Sequence, residues 1–276
     1  MNIELEKISE LLNDYQVDLH SFDSTFIQKT IVKRMEANGL QSSGEYCSLL
    51  QEKEKEVDEL KDSLYIHYSE FFRNSLTFAY LEQHLLPELI RKKRSEGKNE
   101  IRIWSVACAE GQEAYSIAIL FDEYNSTIEN KISYRIFASD ISLTAIENAN
   151  KGIYTQEQLG NITLKRFQNY FKKENEVIKI LPIFRKNISF SYFDLLSDKI
   201  LCPIESIYGD FDLIFCCNIL FYYNEENRQI ILNKIKNCIA ENGYLITGET
   251  EKEIVKKAEF NNGFSSTAIF QQNNKY

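Results

Sequence analysis

The sequence predicts an α/β protein: a parallel sheet with helices on both faces, a small β-hairpin insert, and a separate all-helical module ahead of the sheet. Three observations predict it. Up to about Lys61 the apolar residues recur only at intervals of three and four. Beyond Glu100, buried-strand runs alternate with helical segments, an order that requires parallel pairing and right-handed crossovers. The 276 residues are 43% hydrophobic and 26% charged with only 10 Gly and 3 Pro, a balance that suits packed cores rather than disorder or low-complexity chain.

In the helical module the first segment is built on Leu5, Ile8, Leu11 and Leu12, and the second on Ile27, Ile31 and Met35. Asn38-Gly39 reads as a helix stop, and Ser42-Ser43 caps a third segment carrying Tyr46, Leu49 and Leu50. The charge-alternating Glu52-Lys53-Glu54-Lys55-Glu56 reads as a solvated helix or linker. The expected domains are residues 1–62 and 63–276, with the insert around 174–191.

From Phe71 a long helix on Phe72, Leu76, Tyr80, Leu81 and Leu85 runs to Pro87, and the basic run Arg91 to Arg94 follows. Ile101 to Cys108 is a buried strand, Glu113 to about Tyr124 a helix, and Tyr134 to Asp140 a second strand; Ser142 caps a helix ending near Lys151-Gly152. Val177 to Phe190 holds two short β-like pieces broken by Pro182, which suggests the hairpin insert. Phe211 to Asn218 is the most strand-like segment, followed by a helix over Glu225 to Ile239. Asn242-Gly243 then turns into Tyr244 to Gly248, and pieces near Ala258 and Thr267 to Gln271 suit a closing β pair.

Net charge is −9 and the pI about 5.1, which disfavours a wide nucleic-acid footprint. The start, Met1 to Lys7, is acidic and amphipathic, unlike a signal peptide, and the longest apolar run (Leu213 to Tyr223) is shorter than the ~20 residues of a membrane span. A cytoplasmic protein without membrane insertion is expected. Six cysteines without CxxC spacing and three histidines without an HxxxH pair suit buried thiols rather than a metal site.

Ligands of an open parallel sheet sit outside the carboxyl ends of its strands, here Ala107 to Glu113, Ser139-Asp140, Tyr192 to Leu195 and Cys217 to Asn224. The first of these turns has one glycine, Gly111, where a dinucleotide fingerprint needs three. Asp140 ends the next strand, where a carboxylate accepts bonds from ribose hydroxyls. Singly, Gly111 is also a turn glycine, Asp140 a helix cap and Glu113 a first-turn carboxylate favoured by the helix dipole. Their conjunction on one edge suggests a nucleoside-type cofactor without a pyrophosphate, the simplest being S-adenosylmethionine (SAM).

Ser69 to Arg73, Trp104 to Ser116, Ala138 to Ile141, Asn150 to Tyr154, Asp194 to Leu196, and Phe211 to Asn218 with Tyr222 together resemble the CheR-type chemotaxis receptor methyltransferases. Lys29 to Met35 through Gly39-Leu40 and Tyr46 is similar to that family's small helical domain, so the resemblance covers nearly the whole chain. It implies a Rossmann-like class I SAM-dependent methyltransferase sheet and methylation of glutamate side chains on the cytoplasmic helical bundle of chemoreceptors. S-adenosylhomocysteine (SAH) is then the product. Carried over, Ser69 and Arg73 line the cofactor and substrate side, Glu113 binds the methionine part or a water near it, and Asp140 the ribose. Asp194 and Leu195 flank the adenine, and Asn218 with Tyr222 completes the pocket. His67, Ala107, Gly111 and Cys217 join the cofactor-binding set. The family usually has Thr at Ser69, Asn at Asp194, a small polar residue or Asn at His67, and Arg at Cys217; the last removes a cation beside the cofactor.

A glutamate carboxylate, with a reference pKa near ~4.3, is already ionised at neutral pH. Transfer forms a carboxylate oxygen–methyl bond and breaks the sulfonium–methyl bond, so catalysis is mainly alignment and needs no dedicated base. Arg73 and the Tyr222 hydroxyl are the expected orienting groups. An acidic receptor helix asks for a positive surface, yet residues 1–60 carry 6 Lys/Arg against 13 Asp/Glu. Lys29 and Lys33, four apart on one helical face with Arg34 beside them, are the expected docking cations. Two other readings remain: a methyltransferase of the same fold with a different carboxylate acceptor, and a weakened SAM-binding or docking module.

Overall fold

The structure, a computed structural model, describes residues 5–15, 17–65, 69–258, 260–264 and 267–272. It divides into two compact units, Met1–Ile66 with Ile219–Ile230, and His67–Asn218 with Ile231–Tyr276.

The first unit is helical: α1 (Leu5–Asn13), α2 (Ser24–Ala37), α3 (Ser43–Glu52) and α4 (Glu54–Leu64). Ile8, Leu12, Ile31, Met35, Tyr46 and Leu60 bury the faces that the three–four spacing marks. Asp23 caps α2 by accepting the N–H groups of Thr25 and Phe26 at 3.0 and 3.1 Å. Ser42 and Glu45 close a capping box at the start of α3. The segment Ile219–Ile230 packs in this unit through aromatic contacts, with Tyr223 stacked on Phe22 and Tyr222 4.8 Å from Phe26.

The charged stretch at 52–56 is not simply solvated. Glu56 is buried, pairs with the Arg34 guanidinium at 2.7 Å and accepts the Tyr46 hydroxyl at 2.9 Å. Burial raises the Glu56 carboxyl, but the bonds from Arg34, Asn38 and Tyr46 outweigh it and hold the group below its ordinary value. Helices α2, α3 and α4 are thereby tied at one polar point inside their apolar seam.

In the second unit α5 (Ser75–Tyr80), a π-helical turn (Leu81–Leu85) and α6 (Leu86–Ser95) run end to end. The helix passes through Pro87 rather than ending at it. The widened turn lets the Leu86 N–H reach the Leu81 carbonyl, and Pro87 then sits in the first turn of α6, where its missing N–H is tolerated. Leu76, expected on the apolar face, is 61% exposed.

The sheet then builds in chain order through β1 (Glu100–Ser105), α7 (Gln112–Asn125), β2 (Ser133–Asp140), α8 (Leu143–Lys151), β3 (Ile153–Tyr154), α9 (Leu164–Tyr170), β4 (Phe171–Glu174), β5 (Val177–Ile180), β6 (Ile188–Tyr192), β7 (Phe211–Cys216), α10 (Glu225–Cys238), β8 (Ile239–Thr247), α11 (Lys252–Lys257), β9 (Asn261–Asn262) and β10 (Ile269–Gln271). The seven-stranded sheet has the order β6-β2-β1-β7-β8-β10-β9. The first five strands of that order are parallel, and β10 is antiparallel to both β8 and β9. The strands read as continuous apolar runs because both faces are covered; β7 is buried along its whole length.

Two boundaries differ from expectation. The insert is a three-stranded sheet, β3-β5-β4, whose hairpin partner for β5 lies before it, while Ile188–Tyr192 pairs with β2 as the edge of the main sheet. Asn175, at φ +57°, makes the hairpin turn that sequence alternation alone did not mark. Asn242-Gly243 is a bulge within β8 rather than a turn before it, with the register shifting between Phe211 and Leu213 opposite. Gly243 allows it, since a Cβ there would lie 2.9 Å from the Phe211 carbonyl oxygen.

Replacing Glu56 by Ala should cost about 2–3 kcal/mol in urea unfolding, because it leaves Arg34 and the Tyr46 hydroxyl without their buried acceptor. The depressed Glu56 carboxyl stabilises the fold at neutral pH, and that stabilisation is lost as pH falls through its folded value. The gap between wild type and Glu56→Gln should therefore shrink in acid.

Candidate active site

The chain leaves β1 toward β2 and β6, then returns to the other side of β1 for β7. Strand order reverses between β1 and β7, and at such a reversal the carboxyl ends leave a crevice for a ligand. Ser105 ends β1 and Cys216 ends β7. The Val106 N–H still reaches the Phe215 carbonyl at 2.8 Å, so the two strand ends stay registered to the crevice's edge.

Between β1 and α7 the backbone turns sharply. Ala109 has φ +46° and Gly111 φ +88° as the residue before the helix. A Cβ on Gly111 would lie 3.0 Å from the Ala149 Cβ and from the Phe190 ring, so packing against α8 and β6 accounts for the glycine. Ala107, in the same turn, is half-buried. The turn delivers Glu113 back over the strand end, where its Oε1 accepts the Ser105 hydroxyl at 2.6 Å; the Cys217 thiol donates to the Ile246 carbonyl at 3.6 Å. Burial raises the Glu113 carboxyl above its ordinary value. The like charge of Glu251 adds to the rise, while Ser105, Cys217 and the positive Arg73 oppose it.

Asp140 closes β2 and is 7% exposed. Its Oδ2 accepts the Ala109 N–H and its Oδ1 the Ser142 N–H, both at 2.9 Å, which leaves each oxygen a further lone pair. Asp194, half-buried beyond β6, accepts the Leu196 N–H at 2.9 Å, and Leu195 beside it is buried. Asn218 follows β7 in the left-handed conformation, φ +60°, and its N–H donates to the Glu251 Oε2 at 2.7 Å. Cys217 stays a neutral thiol, raised well above its ordinary value by burial and by Glu113 and Glu251. Ser69 is half-buried and Arg73 exposed; His67 lies outside the described residues.

Tyr222 belongs to the helical unit, where it also meets Phe221 at 4.2 Å and its carbonyl accepts the Asp23 N–H. Lys29 and Lys33 are exposed on α2. Arg34 is different. Two of its guanidinium nitrogens, Nε and Nη2, are engaged by Glu56 and Nη1 reaches Glu59 at 3.4 Å, so it serves the helical core.

A family model described as "CheR methyltransferase, SAM binding domain" matches residues 67–269, which includes every rim residue above. The chain belongs to the CheR methyltransferase family. It is 28% identical over 258 residues to a chemotaxis protein methyltransferase of Borreliella burgdorferi, covering 91% of this chain and 89% of that one. It is 30% identical to chemotaxis protein methyltransferase 1 of Pseudomonas aeruginosa, over 82% of this chain and 81% of that one. The Escherichia coli chemotaxis protein methyltransferase is 30% identical over 89% and 82%.

The rim suits the CheR cofactor chemically. Glu113, Asp140 and Asp194 bring carboxylates to three strand ends, acceptors for a diol and partners for a cationic ligand. There is no glycine-rich cradle of N–H groups such as a pyrophosphate would need. Two residues that the sequence did not single out lie beside these: Ser105, which bonds Glu113, and Glu251, fully buried, which holds the turn after β7. Gln112 is also fully buried with both side-chain polar atoms unpartnered. Ser105 falls inside the run read as a strand to Cys108, which the fold ends three residues earlier; Glu251 lies 33 residues beyond Asn218 with no periodic signal between.

A raised carboxyl binds its proton more tightly folded than unfolded, so its charge weakens the fold above that value and the penalty fades as pH falls. Glu113→Gln should therefore raise the melting temperature of the cofactor-free enzyme near neutral pH. The same variant should weaken SAM binding roughly tenfold by calorimetry, the worth of one charge-assisted contact.

Proposed function

We propose that this enzyme methylates glutamate side-chain carboxylates on the cytoplasmic helical domain of chemoreceptors, giving methyl esters in chemotaxis adaptation, and that it works in the cytoplasm. The observation that carries this reading is the family match laid over a rim of carboxylates and thiols at the sheet's reversal point. None of the described helices is long and apolar enough to cross a membrane. Among the described residues no group of His, Cys, Asp and Glu is placed to hold a metal ion.

When bound, SAM supplies a methyl group activated by its sulfonium charge. Glu113, Asp140, Asp194, Leu195 and Asn218 are the residues assigned to hold it, with Ser69, Ala107, Gly111, Cys217 and His67 around them. The acceptor arrives ionised, so the protein's task is to orient it rather than to remove a proton. Arg73 is assigned to the incoming carboxylate by a charge-assisted bond, and the Tyr222 hydroxyl to a neutral one. Too tight a pair at Arg73 would quench the nucleophile; its exposure keeps the interaction screened.

The helical unit, residues 1–62 in the sequence reading, is assigned to docking, with Lys29 and Lys33 as the cations that meet an acidic receptor helix. What supports it is their exposure four residues apart on α2. Arg34 contributes indirectly, by keeping α2 anchored to α4. Cys217, neutral where the family usually carries a cation, is the observation that favours a different carboxylate acceptor as a second reading.

Incubating the enzyme with methyl-labelled SAM and a chemoreceptor cytoplasmic fragment should yield label released by alkali as methanol. No alkali-labile label on the fragment would refute the receptor reading. Arg73→Ala should lower kcat by at least about tenfold, the loss of one orienting contact. Reversing both charges, Lys29→Glu with Lys33→Glu, should raise KM for the fragment while leaving SAM affinity unchanged. Unchanged KM would remove α2 as the docking face.

A further inference from the structure

We propose that Glu251 is a positioning residue of the cofactor pocket: its carboxylate holds the turn at Asn218 in shape and supplies a second negative charge beside Glu113. Its place in the fold carries the first half. Glu251 is fully buried just after β8, and one oxygen, Oε2, accepts the N–H of Asn218 at 2.7 Å and the N–H of Gly248 at 2.8 Å. Those two donors end neighbouring parallel strands, so a single atom ties the carboxyl ends of β7 and β8 together. The clasp is tight. A Cβ on Gly248 would lie 2.7 Å from both the Asn218 Nδ2 and the Glu251 Oε2, leaving the Asn218 side chain no room on that side. It also fixes the left-handed backbone of Asn218, a conformation Asn tolerates better than most residues.

Shape alone does not require a charge. A glutamine oxygen could accept both N–H groups from the same position, so a buried carboxylate, costly to desolvate, points to a second task. The groups around it indicate what that is. Glu113 feels Glu251 as a like charge, and Cys216 and Cys217 feel both carboxylates. The positive charge of Arg73 acts on Glu113 with the opposite sign, and Glu249 is occupied by Thr77 and Lys252. Arg73 is thus the cation whose charge opposes this pair at Glu113. A sulfonium ligand carries one positive charge that its thioether product lacks. A pocket with two carboxylates and a neutral Cys217 favours the charged form over the spent one, and does so most strongly when Glu113 is ionised.

The inference rests on the SAM-binding reading but not on the identity of the acceptor, so it is tested by calorimetry of the full-length protein with SAM and SAH alone. Glu251→Gln should keep the wild-type melting temperature within a few degrees and weaken SAM roughly fivefold while weakening SAH less. It should also move the acid limb of SAM binding to lower pH, because removing the like charge lets Glu113 ionise sooner. Glu251→Ala should weaken both ligands, since the turn loses its clasp. Combined with Glu113→Gln, the Glu251→Gln effect should be less than additive. If Glu251→Gln binds SAM as wild type does, or weakens both ligands equally with the acid limb unmoved, the charge role is overturned. If Glu251→Gln fails to fold, an unmoved acid limb in Glu251→Ala overturns it equally. Failure of the wild type to bind SAM would instead overturn the cofactor reading.

Discussion

The reversal of strand order beside β1 is the constraint from which the site follows. Both neighbours of β1 run parallel to it, yet the chain reaches them by connections that leave in opposite directions. No crossover covers the gap between the carboxyl ends of β1 and β7, so polar groups there are not packed under a helix. Ser105, Glu113, Cys217 and Asn218 converge because the sheet has no other place to put them. The turn from β1 into α7 does the rest. Its packing against Ala149 and Phe190 sets where Glu113 returns, so sheet topology and one tight loop together fix the first half of the pocket.

The pocket's electrostatics follow from burial more than from any pair. Thiols at Cys108, Cys216 and Cys217 are all pushed upward, so none contributes charge. Glu113 is raised by burial and by Glu251, and is relieved by a serine hydroxyl, a thiol and the positive Arg73. On the SAM-binding reading, such a site costs stability when empty and is relieved by a cation. Function and stability therefore pull against one another at the same side chain.

Much of this was legible in the residues. The strands β1, β2 and β7 stand out as apolar runs, though β1 and β7 end at Ser105 and Cys216, short of the Cys108 and Asn218 the runs suggest; the caps at Ser42, Ser142 and Gly152 are where local chemistry places them. Motif resemblance marked Glu113, Asp140 and Asn218, which the fold sets at strand ends on the crevice edge. What escaped has a common cause: it depends on partners distant in sequence. Arg34 reads as a docking cation until Glu56, 22 residues away, is seen to hold it. Glu251 closes a local capping box with Gly248, but its bond to Asn218, 33 residues earlier, leaves no local signature. The bulge at Asn242-Gly243 looks like a turn because the same residues serve both, and only the partner strand decides.

The widened turn at Leu81–Leu85 links backbone geometry to the direction of a charged surface. A π-helical turn holds one residue more than a regular one, so each residue after it is rotated by about 100° from where a uniform helix would place it. The basic run Arg91 to Arg94 lies beyond that point. Deleting a single residue there would return α5 and α6 to one continuous period. It would drive the Pro87 ring toward a carbonyl of the preceding turn and swing four cations about a third of the way around the helix axis. The orientation of this cationic tract is thus encoded upstream, in one surplus residue of the turn rather than in the cations themselves.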